Sequence, residues 1–168
     1  MVVIERARAE DAAEILEFLK IVGAQTDNLT FGAEGIGFSE QDEAEFLSRI
    51  ECSCDDVIII ARHNGRIVAT ASLNRLPRRM SHRGELGVSV MREYWNKGIA
   101  SRCIEWIIGF ARENSFEIID LSVRSDNASA IHVYEKFGFC KIGTHPFFHK
   151  TNNEDTAFDF MLLNLREI

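Results

Sequence analysis

The chain has 168 residues, 46% of them apolar, and a formal net charge of −7. That length predicts a single domain over residues 1–168 with enough apolar side chain for a sizeable core, and the acidic balance argues against a nucleic-acid-binding protein. No apolar run reaches membrane-spanning length and Glu5, Arg6, Arg8, Glu10 and Asp11 interrupt any signal-peptide pattern, so the expectation is a cytoplasmic protein with no membrane partner.

Residues 2–4 read as a short first strand. From 11 to 22, Ala12, Ile15, Leu16, Leu19 and Val22 recur at helical spacing. Residues 23–38 carry four glycines with Phe31 and Phe38 between them and read as a loop. Ser39 is a candidate helix cap with Asp42 three residues on, an imperfect capping box, and a second helix runs through Phe46, Leu47 and Ile50. Residues 57–61 and 67–73 are apolar strands joined by Asn64-Gly65, a tight-hairpin signal. Pro77 and the polar cluster after it break the sheet.

The chain is organised around residues 85–111. Residues 86–91 form a strand, Tyr94 to Gly98 a turn, and a helix follows in which Ile99, Cys103, Ile107 and Ala111 recur every four residues. A strand, a glycine-bearing turn and a helix N-terminus suit an anion, because the first helical N–H groups have no partner within the helix. The plainer account is that Gly98 only makes the turn. Residues 118–123 give another strand. Asp126-Asn127 caps a helix over 128–136 that ends at Gly138. Residues 139–142 resume strand character, 151–154 turn, and 158–165 form the last strand. The order predicts an α/β fold: a mixed, mostly antiparallel sheet of about seven strands, flanked by about four helices, with one strand–helix–strand crossover.

Charge is uneven. Residues 1–60 hold 14 acids and 4 bases, whereas residues 75–102 hold seven bases and two acids. The basic stretch surrounds the organising turn and favours an anionic ligand there. The alternative is that its arginines are solvated. The four cysteines, Cys52, Cys54, Cys103 and Cys140, lack zinc-site spacing and are read as free thiols. His145 and His149 would share a helix face, but Pro146 makes an irregular strand the better reading, and no metal is expected.

Two segments resemble the GNAT superfamily of acyl-coenzyme A-dependent N-acetyltransferases. V-S-V-M-R-E-Y-W-N-K-G-I-A (88–100) is similar to its coenzyme A signature, and N-A-S-A-I-H-V-Y-E-K-F-G-F (127–139) to its second signature. Residues 82–142 carry the match. The first position of the coenzyme A signature, usually Arg or Gln, is Trp95 here, and the last is Ala100. Trp95 cannot make an arginine's contacts, which leaves it packing beside the turn.

The resemblance implies a GNAT-type acyl-CoA acyltransferase fold whose sheet splays between the strands at 86–91 and 118–123. Pantetheine would lie in the gap against the backbone of Val88 and Val90. Asn96, Lys97, Gly98, Ile99, Ala100 and Ser101 would hold the pyrophosphate, and Asn127 would both cap its helix and contact pantetheine. Acetyl transfer to an amine needs a proton acceptor, stabilisation of the carbonyl oxygen and a proton donor to the leaving thiolate. Glu85 is the candidate base, with pairing to Arg83 or His82 as the structural alternative. Tyr134 is the candidate acid, two helical turns beyond Asn127 and on the same face, with core packing as its alternative. On resemblance, the N–H of Val90 is the candidate oxyanion donor.

The expectation is therefore an N-acetyltransferase using acetyl-CoA as cosubstrate, without a metal, on a small-molecule amine or a protein N-terminus. A homodimer is compatible with the sequence. The acidic N-terminal segment would attract a cationic amine, unless its acids are solvated helix faces, and Phe31, Phe38, Phe147 and Phe148 are candidates for an acceptor pocket. A non-catalytic acyl-CoA sensor on the same fold is the alternative.

Overall fold

The computed structural model describes residues 1–167. Its elements are β1 (Val2–Arg6), α1 (Ala12–Gln25), α2 (Glu40–Ile50), β2 (Asp56–His63), β3 (Arg66–Arg75), β4 (Arg83–Val90), α3 (Ile99–Glu113), β5 (Ile118–Arg124), α4 (Ala128–Lys136), β6 (Cys140–Thr151) and β7 (Glu154–Asn164). The seven strands form one sheet in the order β1-β2-β3-β4-β5-β7-β6. All neighbours are antiparallel except β4 and β5, which α3 connects. No helix is long and apolar enough to cross a membrane among the described residues.

Strand alternation divides the core into two layers. Ile59, Leu73, Leu86, Ile119, Leu121 and Met161 face α3 and α4 in one cluster. Ile60 and Ile67 face α1 and α2 with Phe18, Val22 and Leu47 in the other. The second layer is incomplete over the middle of the sheet. There β3 presents Thr70, Ser72 and Asn74, paired in register with Ser89, Gly87 and Glu85 of β4. These side chains are too small and polar to meet a helix stripe, so the roof stands off the sheet.

The local signals read from the sequence hold where they rest on backbone chemistry. Ser39 and Asp42 form a reciprocal capping box at the start of α2. Asn64 and Gly65 turn the β2–β3 hairpin, both with positive φ. Asn127 caps α4 by accepting a hydrogen bond from the Ala130 amide at 3.2 Å. Strand boundaries move by one or two residues at β1, β2, β3 and β5 and by more at β4, β6 and β7. β4 starts at Arg83 and stops at Val90, leaving Met91 buried in the α1–α2 layer. β6 begins at Cys140 and runs on through the irregular segment at 145–149, and β7 begins at Glu154. β6 is an edge strand with mostly exposed residues, so it has no apolar alternation for a sequence reading to detect.

Candidate active site

β4 and β5 pair over only three positions, Arg83 with Ile118, Gly84 with Ile119 and Glu85 with Asp120. Arg83 Nε also donates to Asp120 Oδ2 at 2.8 Å. Beyond Glu85 the strands part. The hydrogen-bond register on the other edge of β4 fixes what faces the gap. Met91 N donates to Val68 O and Leu76 N to Arg83 O, so in the antiparallel ladder residues 85, 87 and 89 bond to β3. Val88 and Val90 therefore turn their N–H and C=O groups toward the gap, as Leu86 does its C=O, while the Leu86 N–H belongs to the last rung with Asp120. Buried backbone groups without partners are rare, so an open strand edge inside a protein marks a place where something else can pair.

A cavity of about 610 Å³ fills this gap and reaches both faces of the sheet. On the α3–α4 side its walls include Ile99, Ala100, Ser101, Asn127 and Tyr134. On the other side its floor is the polar patch of β3 and β4, including Glu85. Its roof there is the 26–38 loop with Glu43 and Phe46 of α2. One open space thus joins Glu85, the free edge of β4, the start of α3 and Tyr134.

The start of α3 follows from Gly98, which is its cap residue at φ +75°, a conformation that would strain any residue with a Cβ. No side chain caps this helix, and its first ladder bond is Arg102 N to Gly98 O. The amides of Ile99, Ala100 and Ser101 are left without intrahelical acceptors, at the positive end of the dipole. Asn96 also lines the cavity. Lys97 does not. Its Nζ lies 5.1 Å from the centre of the Tyr94 ring.

Trp95 does more than pack beside the turn. Its indole Nε1 donates to Val90 O at 2.8 Å, tying the turn back to the end of β4. Of the two gap-facing groups of Val90, the carbonyl is taken and the N–H is left. Tyr134 makes an edge contact with Phe139, and its hydroxyl has no hydrogen-bond partner among the described residues. Burial pushes this phenol up to about 12, which keeps it protonated at neutral pH. Glu85 is exposed to the cavity and has no ion pair or hydrogen bond among the described residues, since Arg83 is held by Asp120.

The basic stretch is largely structural. Arg75 bonds to Asp55, to the carbonyls of Ser81 and Asn114, and lies 3.7 Å from the Phe116 ring centre. Arg102 bonds to the Val2 carbonyl. The acids of the N-terminal segment are also partly absorbed, because Asp11 and Glu14 bind Arg62 at 2.5 and 2.6 Å. Phe31 and Phe38 line the roof of this cavity, but Phe147 and Phe148 do not. Phe147 is exposed, and Phe148 stacks on Phe158 with ring centres 4.5 Å apart. No cysteine lines the cavity among the described residues, and the buried thiol of Cys103 is pushed up by burial to about 11. No group of three or more potential metal-ligating side chains occurs among them either.

The profile of the Acetyltransferase (GNAT) family matches residues 23–139. Over 96 residues the chain is 29% identical to N-alpha-acetyltransferase RimI of Mycobacterium tuberculosis, covering 56% of this chain and 59% of that protein. Over 100 residues it is 34% identical to L-amino acid N-acetyltransferase AaaT of Escherichia coli, covering 57% and 60%. The chain thus spans about three fifths of the length of these curated relatives. Its fold is similar to that of an acetyltransferase of the GNAT family from Streptococcus pneumoniae, with a TM-score of 0.94 and 26% identity over 98% of this chain and 100% of the other. It is also similar in fold to yncA of Salmonella typhimurium, solved with its cofactor acetyl-CoA, with a TM-score of 0.86 and 19% identity over 99% and 95%. The matched residues run from the end of α1 to the residue before β6 and take in the splayed strands, the α3 turn and the capped α4, so the chain belongs to the acetyltransferase (GNAT) family.

Proposed function

We propose that this protein is an N-acetyltransferase that moves an acetyl group from acetyl-CoA to a primary amine by direct attack. The observation that carries this reading is the open edge of β4 inside a cavity that continues to the uncapped start of α3. The edge offers N–H and C=O groups in strand spacing, which suits the amides of a pantetheine arm. The three free amides of α3 suit a pyrophosphate. Acetyl-CoA supplies an acyl group already activated as a thioester.

The chain's own groups do the rest. An alkyl amine has a pKa near about 10 and arrives protonated. Glu85, the cavity's only carboxylate on the sheet floor among the described residues, takes that proton directly or through a water. The Val90 N–H, its carbonyl already occupied by Trp95, hydrogen-bonds the acyl oxygen as it gains charge. Tyr134 holds its proton at neutral pH and delivers it to the departing sulfur. The lack of a cavity cysteine among the described residues favours direct attack over a covalent acyl-enzyme. Asn127 holds the start of α4 in place and presents its amide to the pantetheine arm. Relatives named as an N-alpha-acetyltransferase and as an L-amino acid N-acetyltransferase both acetylate an amine nitrogen, and a primary amine is the acceptor class assigned here.

The test is thiol release from acetyl-CoA against a panel of amines, with two variants. Tyr134→Phe is expected to lower kcat by about a hundredfold while coenzyme A affinity is kept. Glu85→Gln is expected to lose activity at neutral pH and regain part of it at high pH, where free amine is abundant. Tight acetyl-CoA binding without release for any amine would favour an acyl-CoA sensor instead.

A further inference from the structure

Among the acids of residues 1–60, Glu43 alone lines the cavity. It stands one and two turns before Leu47 and Ile50 on the buried stripe of α2, at a position that packing would give to an apolar residue. It is 2% exposed. Its carboxylate has no hydrogen bond and no ion pair among the described residues, in contrast to Asp11 and Glu14 on the same side of the sheet, which share Arg62. The side chain is buried while its carboxylate opens onto the cavity, and such an unpaired charge at a largely desolvated site is costly unless a cation meets it.

The rest of the lining says what kind of cation. The charged residues on the cavity wall are Glu43 on the roof and Glu85 on the floor, and no Lys, Arg or His lines it among the described residues. The roof around Glu43 carries Leu29, Phe31, Ile36, Phe38 and Phe46, with the uncharged polar side chains of Thr26, Asn28 and Thr30. The neighbouring open groove contains Arg92, which lies over the Trp95 ring at 5.7 Å from its centre, and Arg124, whose guanidinium is held by both carboxylate oxygens of Asp126 and by the Asp27 carbonyl. A ligand carboxylate inside the cavity would meet two acids and no base. A second ammonium would meet Glu43.

We propose that Glu43 is the specificity-determining residue for the acceptor, and that the acceptor is a diamine with an apolar body: one amine reacts beside Glu85 while the other, still charged, pairs with Glu43. This rests on the acetyltransferase reading and narrows its acceptor. Burial raises the Glu43 carboxyl, and an arriving ammonium favours its charged form, so recognition of the second cation is built into the roof.

The experiment compares three matched acceptors, namely putrescine, butylamine and γ-aminobutyrate, and then longer members of each series. Thiol release is measured alongside calorimetric binding to the protein–coenzyme A complex. The wild-type protein is expected to prefer the diamine over the monoamine by about tenfold or more in kcat/KM and to reject the amino acid. In Glu43→Gln that preference should fall to within about twofold, chiefly through KM, and calorimetric diamine binding should weaken by a similar factor. Glu43→Asp, which keeps the charge, should retain part of the preference. An unchanged ratio in Glu43→Gln, or a preference for the amino acid, overturns the proposal while leaving the transferase intact. Diamine binding that depends on Glu43 without thiol release from any acceptor would overturn the transferase reading and keep the recognition site.

Discussion

Glu43 and Glu14 are both acids on helices over the same face of the sheet, yet their surroundings are opposite. Glu14 bonds to Arg62 and accepts the Ile67 amide, whereas Glu43 has no partner among the described residues. Burial therefore raises the Glu43 carboxyl above its ordinary value of 4.5. The folded protein then holds this proton to higher pH than the unfolded chain does. Stability contributed at this site is intact below about pH 4.5 and falls as pH rises through the folded value. Replacing Glu43 by an apolar side chain should remove that loss. Glu43→Met is expected to stabilise the ligand-free protein by about 1–3 kcal/mol at neutral pH and by little near pH 4. Thermal melts at the two pH values check this, and equal melting shifts at both would contradict it. Such a gain alongside lost acceptor recognition would be a trade of stability for function. Glu43 was readable in principle, because 43, 47 and 50 are helical neighbours. It was obscured by the neighbouring Ser39–Asp42 cap, which gives the first turn of α2 a sufficient reason to be acidic. Trp95 was obscured differently: its value lies in an indole N–H reaching back five residues to the Val90 carbonyl, which no spacing rule encodes.

At the scale of elements, the sequence is most legible where one segment determines its own backbone. The α3 turn, the β2–β3 hairpin and the α4 cap were all visible from Gly98, Asn64-Gly65 and Asn127. The roof of the cavity was not, because it depends on a meeting of two segments. Gly23 in α1 lies against the 26–38 loop so closely that a Cβ there would sit 2.0 Å from the Gly32 carbonyl oxygen. Backbone cannot yield as a flexible side chain can, so the loop would have to lift away. Gly23→Ala should gain helix propensity locally and still destabilise the protein, by about 1–3 kcal/mol from the overpacked contact. Because this loop roofs the side of the cavity proposed for the acceptor, the variant should raise the acceptor KM severalfold more than the acetyl-CoA KM. Steady-state kinetics varying each substrate in turn distinguishes this from general unfolding, which would lower active enzyme without moving either KM.

For the whole molecule, the splay divides one sheet into two sets of strands. β1 to β4 lie on one side and β5, β7 and β6 on the other, with three register pairs and the Arg83–Asp120 ion pair between them. α3 is packed against β2, β3 and β4, so the first set keeps its own core even where the sheet parts. Beyond Glu85 the edge of β4 has no strand partner on the β5 side. A cosubstrate arm lying there would pair with it and contact α4 on the far wall, joining the two sets. Ligand binding to the folded state alone stabilises by about 2.7 kcal/mol at a hundred times Kd. For a chain of this size that corresponds to a rise of roughly 5–10 °C in Tm. Hydrogen exchange supplies the spatial check. The amides of Val88 and Val90 should exchange faster than those of Gly87 and Ser89, which bond to β3, and coenzyme A should slow the first pair with little change in the second. Equal exchange of the two sets without ligand would mean that the β4 edge is already satisfied. The pairing with pantetheine would then lose its physical basis, whatever the protein's activity.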